Sequence, residues 1–167
     1  MKPKGESTML TRLFPKQIDN DYRGHVLAIW LLVPLAFMKL LQGANVAGLF
    51  GTSKSGQVLE GVDKVPLGTF PAEAASHLVF LFAAWGLGVF ILGLLATVVL
   101  LRYRAMIPLT YLLLLIEQLG RKALSTIHLD RPFVSLAPSA ANLINWGFLL
   151  VIVIGLLLSL WDRRPRS

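Results

Sequence analysis

The chain has 167 residues and a mass of 18.4 kDa; 55% of its residues are hydrophobic and only 15% charged, against about 25% charged in soluble domains. With a mean hydropathy of +0.67, this composition excludes a disordered tail, a nucleic-acid arm and an ordinary cytosolic enzyme. It fits one membrane-embedded domain of a few helices. The net charge of +7 is the balance of 16 Lys and Arg against 9 Asp and Glu; the basic residues fall almost wholly in tails and loops, where membrane orientation accounts for them better than nucleic acid does.

In chain order, residues 1–24 form a basic tail, expected in the cytoplasm, in which Met9 to Phe14 is read either as touching the inner leaflet or as solvated. No cleavable signal peptide is read, because the first long apolar run begins only near Val26. Four helical segments follow, at about 25–50, 73–101, 105–127 and 140–161. The first opens on an unbroken apolar stretch, Val26 to Met38, and then carries Lys39, Gln42 and Asn45. The second is interrupted only by Thr97. The third is apolar as far as Ile116, too short by itself for a span of roughly 20 residues, and crosses only if the helix continues through Glu117 and the amphipathic stretch beyond it. The fourth leads into a basic tail, residues 162–167. The fold expected is therefore all-α, a polytopic four-helix transmembrane bundle.

Local signals agree with these segments. Pro71 and Glu73 suit the first turn of the second helix, and Ser139 is an N-cap candidate for the fourth. Pro34 and Pro108 are read as lying inside helices one and three and kinking them. Gly43/Ala47, Ala44/Gly48 and Ala84/Gly88 have the small-xxx-small spacing that lets helices approach closely. Trp30, Trp146, Trp161 and Tyr103 fall near segment ends, where amphipathic rings prefer the interface.

The N-terminal tail, the turn holding Arg102 and Arg104, and the C-terminal tail together carry ten Lys and Arg, against five in the other two loops. That bias places both termini in the cytoplasm, although Arg121, Lys122 and Arg131 make the last outer loop unusually basic. The membrane expected is a bacterial inner membrane.

Counted from the cytoplasmic side, Lys39 lies roughly 20 Å along its helix and Glu117 roughly 18 Å along its own. A lone Lys at mid-helix is costly, so the two are expected to approach each other. The functional reading is a proton or headgroup site; the structural one is a register-fixing pair, or Lys39 snorkelling outward. Gln42 and Asn45 follow Lys39 on one face, Arg121 stands one turn after Glu117, His77 opens helix two, and Asn142 and Asn145 open helix four. The candidate polar pocket is thus Lys39, Gln42, Asn45, His77, Glu117, Arg121, Asn142 and Asn145, opening to the outer side.

Other motifs do not develop. Gly51 to Gly56 resembles a phosphate loop but is followed by Gln57 and Val58, and is read as a flexible loop. His25, His77 and His128 have no metal-ligand spacing, so no metal site is expected. The absence of cysteine removes disulfides, thiolate metal sites and thiol redox relays. No Gly-x-Ser-x-Gly elbow is present.

An arginine-initiated first helix containing Phe37 to Leu41 (FMKLL), and the run Gly86 to Leu115 in which a glycine-studded helix passes through a short basic turn into the next, together resemble the DoxX-like superfamily of small four-helix bacterial membrane proteins. The resemblance covers roughly residues 23 to 125, with Ala36, Phe37 and Met38 where that family often carries a glycine. It implies association with quinone-linked or redox-stress membrane complexes, with no single shared reaction. The leading functional expectation is a non-enzymatic accessory or interaction subunit whose partners are the lipid bilayer and another membrane protein or further copies of itself, with no nucleic acid and no resident cofactor. The alternative is a quinone- or lipid-binding oxidoreductase subunit using the outer polar pocket; a small oligomeric transporter is third.

Overall fold

The computed structural model describes residues 9–15, 17–49, 55–61, 64–129 and 140–161, with the backbone alone at 140–142. Among them the secondary structure is wholly helical: α1 (Met9–Leu13), α2 (Val26–Ala47), α3 (Ser55–Gly61), α4 (Ala72–Arg102), α5 (Ile107–Leu129) and α6 (Ala140–Leu160), with 3-10 turns at Leu67–Thr69 and Arg104–Met106. Three helical stretches are long and apolar enough to cross a membrane: Val26–Ala47, Ala72–Arg102 and Leu143–Leu160. Many of their large apolar side chains, Trp30, Phe80, Ile91 and Leu157 among them, are exposed, the arrangement expected of helices whose outer solvent is hydrocarbon.

Several helix limits differ from expectation for identifiable reasons. α2 stops at Ala47 because Gly48 takes a positive φ of 68°. The Gly48 N–H then donates to Asn45 O at 3.1 Å and the Leu49 N–H to Ala44 O at 3.0 Å, the paired bonds of a Schellman C-cap. α5 begins at Ile107, so Pro108 sits in its first turn, where a missing N–H leaves no bond unmade. It is therefore not an interior kink. Pro34 does lie inside α2. Pro71 precedes α4, and its carbonyl accepts the Ala75 N–H at 3.0 Å. Ser55 and Gly56 open helix α3 rather than continuing a loop; 51–54 and Ser139 lie outside the described residues.

The chain divides into two compact units, Pro34–Thr97 on one hand and Met1–Val33 with Val98–Ser167 on the other. In the first, α2 and α4 run antiparallel at very close range. A Cβ on Gly43 would meet the backbone of Phe90; one on Gly86 would meet Ala47 N at 2.6 Å, and one on Gly93 would meet Leu40 N at 2.8 Å. Each step along α2 from Leu40 through Gly43 to Ala47 matches a step back along α4 from Gly93 through Phe90 to Gly86. Glycine is required here because the neighbouring main chain occupies the space a side chain would take. Of the expected pairs, Gly43 and Ala47 reach this contact and Ala44 is buried. Ala84 is exposed and Gly88 faces open space, so Gly86 and Gly93 supply the α4 side instead.

In the second unit α5 and α6 also run antiparallel, with the Tyr111 ring against Gly155. Tyr111 is fully buried, and its hydroxyl donates to Ala28 O at 2.7 Å. At the same end, the segment before α2 is fastened to the last turn of α6. The Arg12 Nη1 donates to Leu160 O at 2.7 Å, and the His25 N–H donates to Leu158 O at 3.0 Å. Gly24 fits beside Ser159 O and the Tyr22 ring, where a Cβ would collide. The Tyr22 hydroxyl donates to His25 O at 3.2 Å, and burial holds this phenol well above its usual range, so it stays a donor. The Ala105 N–H reaches Asp19 O at 3.3 Å, and Arg104 Nε donates to Leu100 O at 3.0 Å. Arginines thus serve the last carbonyls of both α4 and α6, where the helix dipole favours positive charge. The segment holding Arg12 is thus bonded to α6, while Met9, Leu10 and Phe14 stay exposed. Replacing Arg12 with Ala is expected to cost about 1–2 kcal/mol and to speed amide hydrogen exchange at 156–161 and 9–14 together. Unchanged exchange at both segments would show that the bond contributes nothing.

Candidate functional site

The eight residues expected to form a polar pocket divide equally between the two units. In Pro34–Thr97, Lys39 is buried, 5% exposed, on α2. Gln42 is half-buried and Asn45 exposed, and the Asn45 carbonyl takes part in the C-cap of α2. His77 is exposed on α4, nine residues or about 14 Å before Gly86, where α4 meets Val46 and Ala47. The structure therefore does not bring His77 beside Gln42 and Asn45.

In the second unit the sequence creates a polar seam. α5 is apolar from Leu112 to Ile116 and then changes character at Glu117. Gln118, Arg121 and Lys122 follow at three- and four-residue spacing, which places them on one face. That face meets the turn of α6 carrying Asn145 and Trp146. Gln118 is only 2% exposed; its Nε2 donates to the Asn145 carbonyl at 3.5 Å. Arg121 Nη2 donates to Gln118 Oε1 at 2.7 Å and to Asn145 Oδ1 at 3.5 Å. The short bond, donated by the guanidinium, carries most of the energy; the two at 3.5 Å are weak. Lys122 Nζ lies 4.0 Å from the centroid of the Trp146 ring, within cation–π range. Half-buried Glu117 stands one turn before Arg121, at intrahelical ion-pair spacing. The side chain of Asn142 lies outside the described residues.

Of the expected residues, then, Arg121 and Asn145 are joined directly. Gln118, Lys122 and Trp146 complete the seam and were not among them. The signal available in the sequence was the shared face of 118, 121 and 122, set opposite a helix whose polar residues fall near its start.

No family model, curated protein or solved structure matches the chain.

What the seam can do follows from its side chains. Amides do not titrate, and a guanidinium does not release its proton. Gln118, Arg121 and Asn145 can therefore fix helix register and hold positive charge, but they offer no base, nucleophile or proton relay. Among the described residues no group of three or more His, Cys, Asp or Glu is placed to hold a metal ion.

Proposed function

We propose that the protein is a four-crossing integral membrane protein of a bacterial inner membrane, with both termini cytoplasmic, that works as a non-enzymatic accessory or interaction subunit. The four-crossing reading is supported by parity. Residues 12 and 25 bond to 158–160, and residue 19 bonds to 105. An even number of crossings between residues 25 and 105, and again between residues 105 and 158, fits these bonds. α2 with α4 satisfies the first interval. In the second, apolar α6 needs a companion, and α5, at 23 residues or about 35 Å, is long enough despite its polar half. The observation that carries the accessory reading is the polar seam, whose non-titrating groups are spent on one another in Arg121–Gln118–Asn145. A bundle so fastened presents an apolar exterior to lipid and to other membrane helices.

Two measurements test this. The chain has no cysteine, so single cysteines report cleanly. Asp19→Cys and Trp161→Cys are expected to react with a membrane-impermeant thiol reagent from one side, and Glu60→Cys and His128→Cys from the other. Labelling of positions 19 and 161 from opposite sides would overturn the four-crossing reading. Native mass spectrometry after gentle extraction is expected to show a second membrane protein, or further copies of the chain, in stoichiometric amount. A solitary chain would overturn the interaction role.

A second reading is favoured by the burial of Lys39, a cation 5% exposed within an apolar helix, since ionisable residues at such depth commonly mark sites. It makes the chain a quinone- or lipid-binding subunit. A quinone or lipid retained stoichiometrically in the same spectra, and lost on Lys39→Ala, would favour it.

A further inference from the structure

Away from the end clasped by the Arg12–Leu160 bond, the contact between α5 and α6 holds more positive charge than the orientation bias allows. We propose that Lys122 and Trp146, with the charge of Arg121 beside them, form a binding site for the phosphate of an anionic phospholipid in the leaflet opposite the termini. The inference rests on the membrane placement proposed above.

Three observations carry it. First, Lys122 and Arg121 address adjacent positions of α6, the ammonium 4.0 Å from the Trp146 ring and the guanidinium at Asn145. The side chains of this stretch of α5, Glu117 to Lys122, thus sum to one positive charge. Second, the Lys122 ammonium packs on a ring rather than on a carboxylate, and a ring covers one side of it. Its other N–H donors remain available, and the indole N–H of Trp146 is a further donor. Third, the depths agree. Lys122 is 15 residues beyond Ile107 and Trp146 is 14 before Leu160, about 22 Å and 21 Å from the clasped end. In a hydrocarbon core about 30 Å thick, a four-carbon stem from that depth brings an ammonium to the headgroup layer. Indole rings favour the same layer. A phosphate there neutralises the residual charge, which gives Arg121 and Lys122 a reason to be on the less basic side of the membrane.

The test uses the full chain reconstituted in bilayers, with Trp30→Phe, Trp85→Phe and Trp161→Phe leaving Trp146 as the only tryptophan, excited selectively over tyrosine. Quenching is compared between brominated phosphatidylglycerol and brominated phosphatidylcholine at equal mole fraction. The expected result is an effective preference for phosphatidylglycerol of about fivefold, abolished in Lys122→Gln and retained in Lys122→Arg. Arg104→Gln, at the other end of α5, should leave it unchanged. Equal quenching by the two lipids, survival of the preference in Lys122→Gln, or its loss in Arg104→Gln would overturn the proposal. Relief of the phosphatidylglycerol effect by soluble glycerol phosphate would make the ligand a free phosphate ester and end the lipid assignment. Should neither brominated lipid quench Trp146, the membrane placement of this hairpin itself would fall, a result distinct from loss of preference alone.

Discussion

Gly43→Val is expected to destabilise the α2–α4 pair by about 3 kcal/mol, the upper end for overpacking. At this position a Cβ collides with the backbone N and Cα of Phe90 rather than with the movable end of a side chain. Relief then requires the two helices to separate, which breaks the neighbouring contacts at Gly86 and Gly93. Gly88→Val is the matched control, because Gly88 faces open space on the same helix pair; its effect should stay within about 0.5 kcal/mol. Thermal unfolding in a mild detergent, followed by circular dichroism and by retention of the monodisperse peak after heating, compares the two. Equal losses would mean that α2 and α4 do not pack through Gly43.

The second large effect is at Tyr111. Its ring fills the space left by Gly155 and its hydroxyl bonds to Ala28 O, so one residue ties α5 to both α6 and the start of α2. Tyr111→Ala is expected to cost about 3–5 kcal/mol through the cavity it leaves. Tyr111→Phe keeps the ring and removes only the hydroxyl, for about 1 kcal/mol. The ratio of the two losses, measured by the same melting experiment, separates packing from hydrogen bonding. If Tyr111→Phe proved as damaging as Tyr111→Ala, the bond to Ala28 and not the ring would be holding the helices.

The helical segments were legible because a long apolar run in lipid can satisfy its own backbone only by coiling into a helix, and α2, α4 and α6 stand where those runs lie. The end of α2 was less so. Gly48 reads as one more small residue in a membrane helix until its positive φ is seen. Ala84/Gly88 and Gly86/Gly93 are comparable small-residue pairs along α4, and only the location of the α2 backbone selects the second. Pro108 looked interior because Ala105 and Met106 continue the apolar run, whereas the 3-10 turn at Arg104–Met106 delays the start of α5. At the seam, Arg121 and Asn145 could be named individually from polarity and depth. Their joining through Gln118 depends on the α5–α6 register, which no spacing within one helix reveals.

The bond between Arg12 and Leu160 joins residues 148 positions apart. During synthesis the acceptor leaves the ribosome long after the donor, when α2, α4 and α5 have already been made. The clasp is consequently among the last contacts able to form. Until α6 arrives, Arg12 lacks its acceptor, and the bond from the Ala105 N–H to Asp19 O is what can hold this segment. Closure of the Arg12–Leu160 bond therefore marks completion of the fold, and full proteolytic protection around Arg12 should appear with chains long enough to free residue 160 from the exit tunnel.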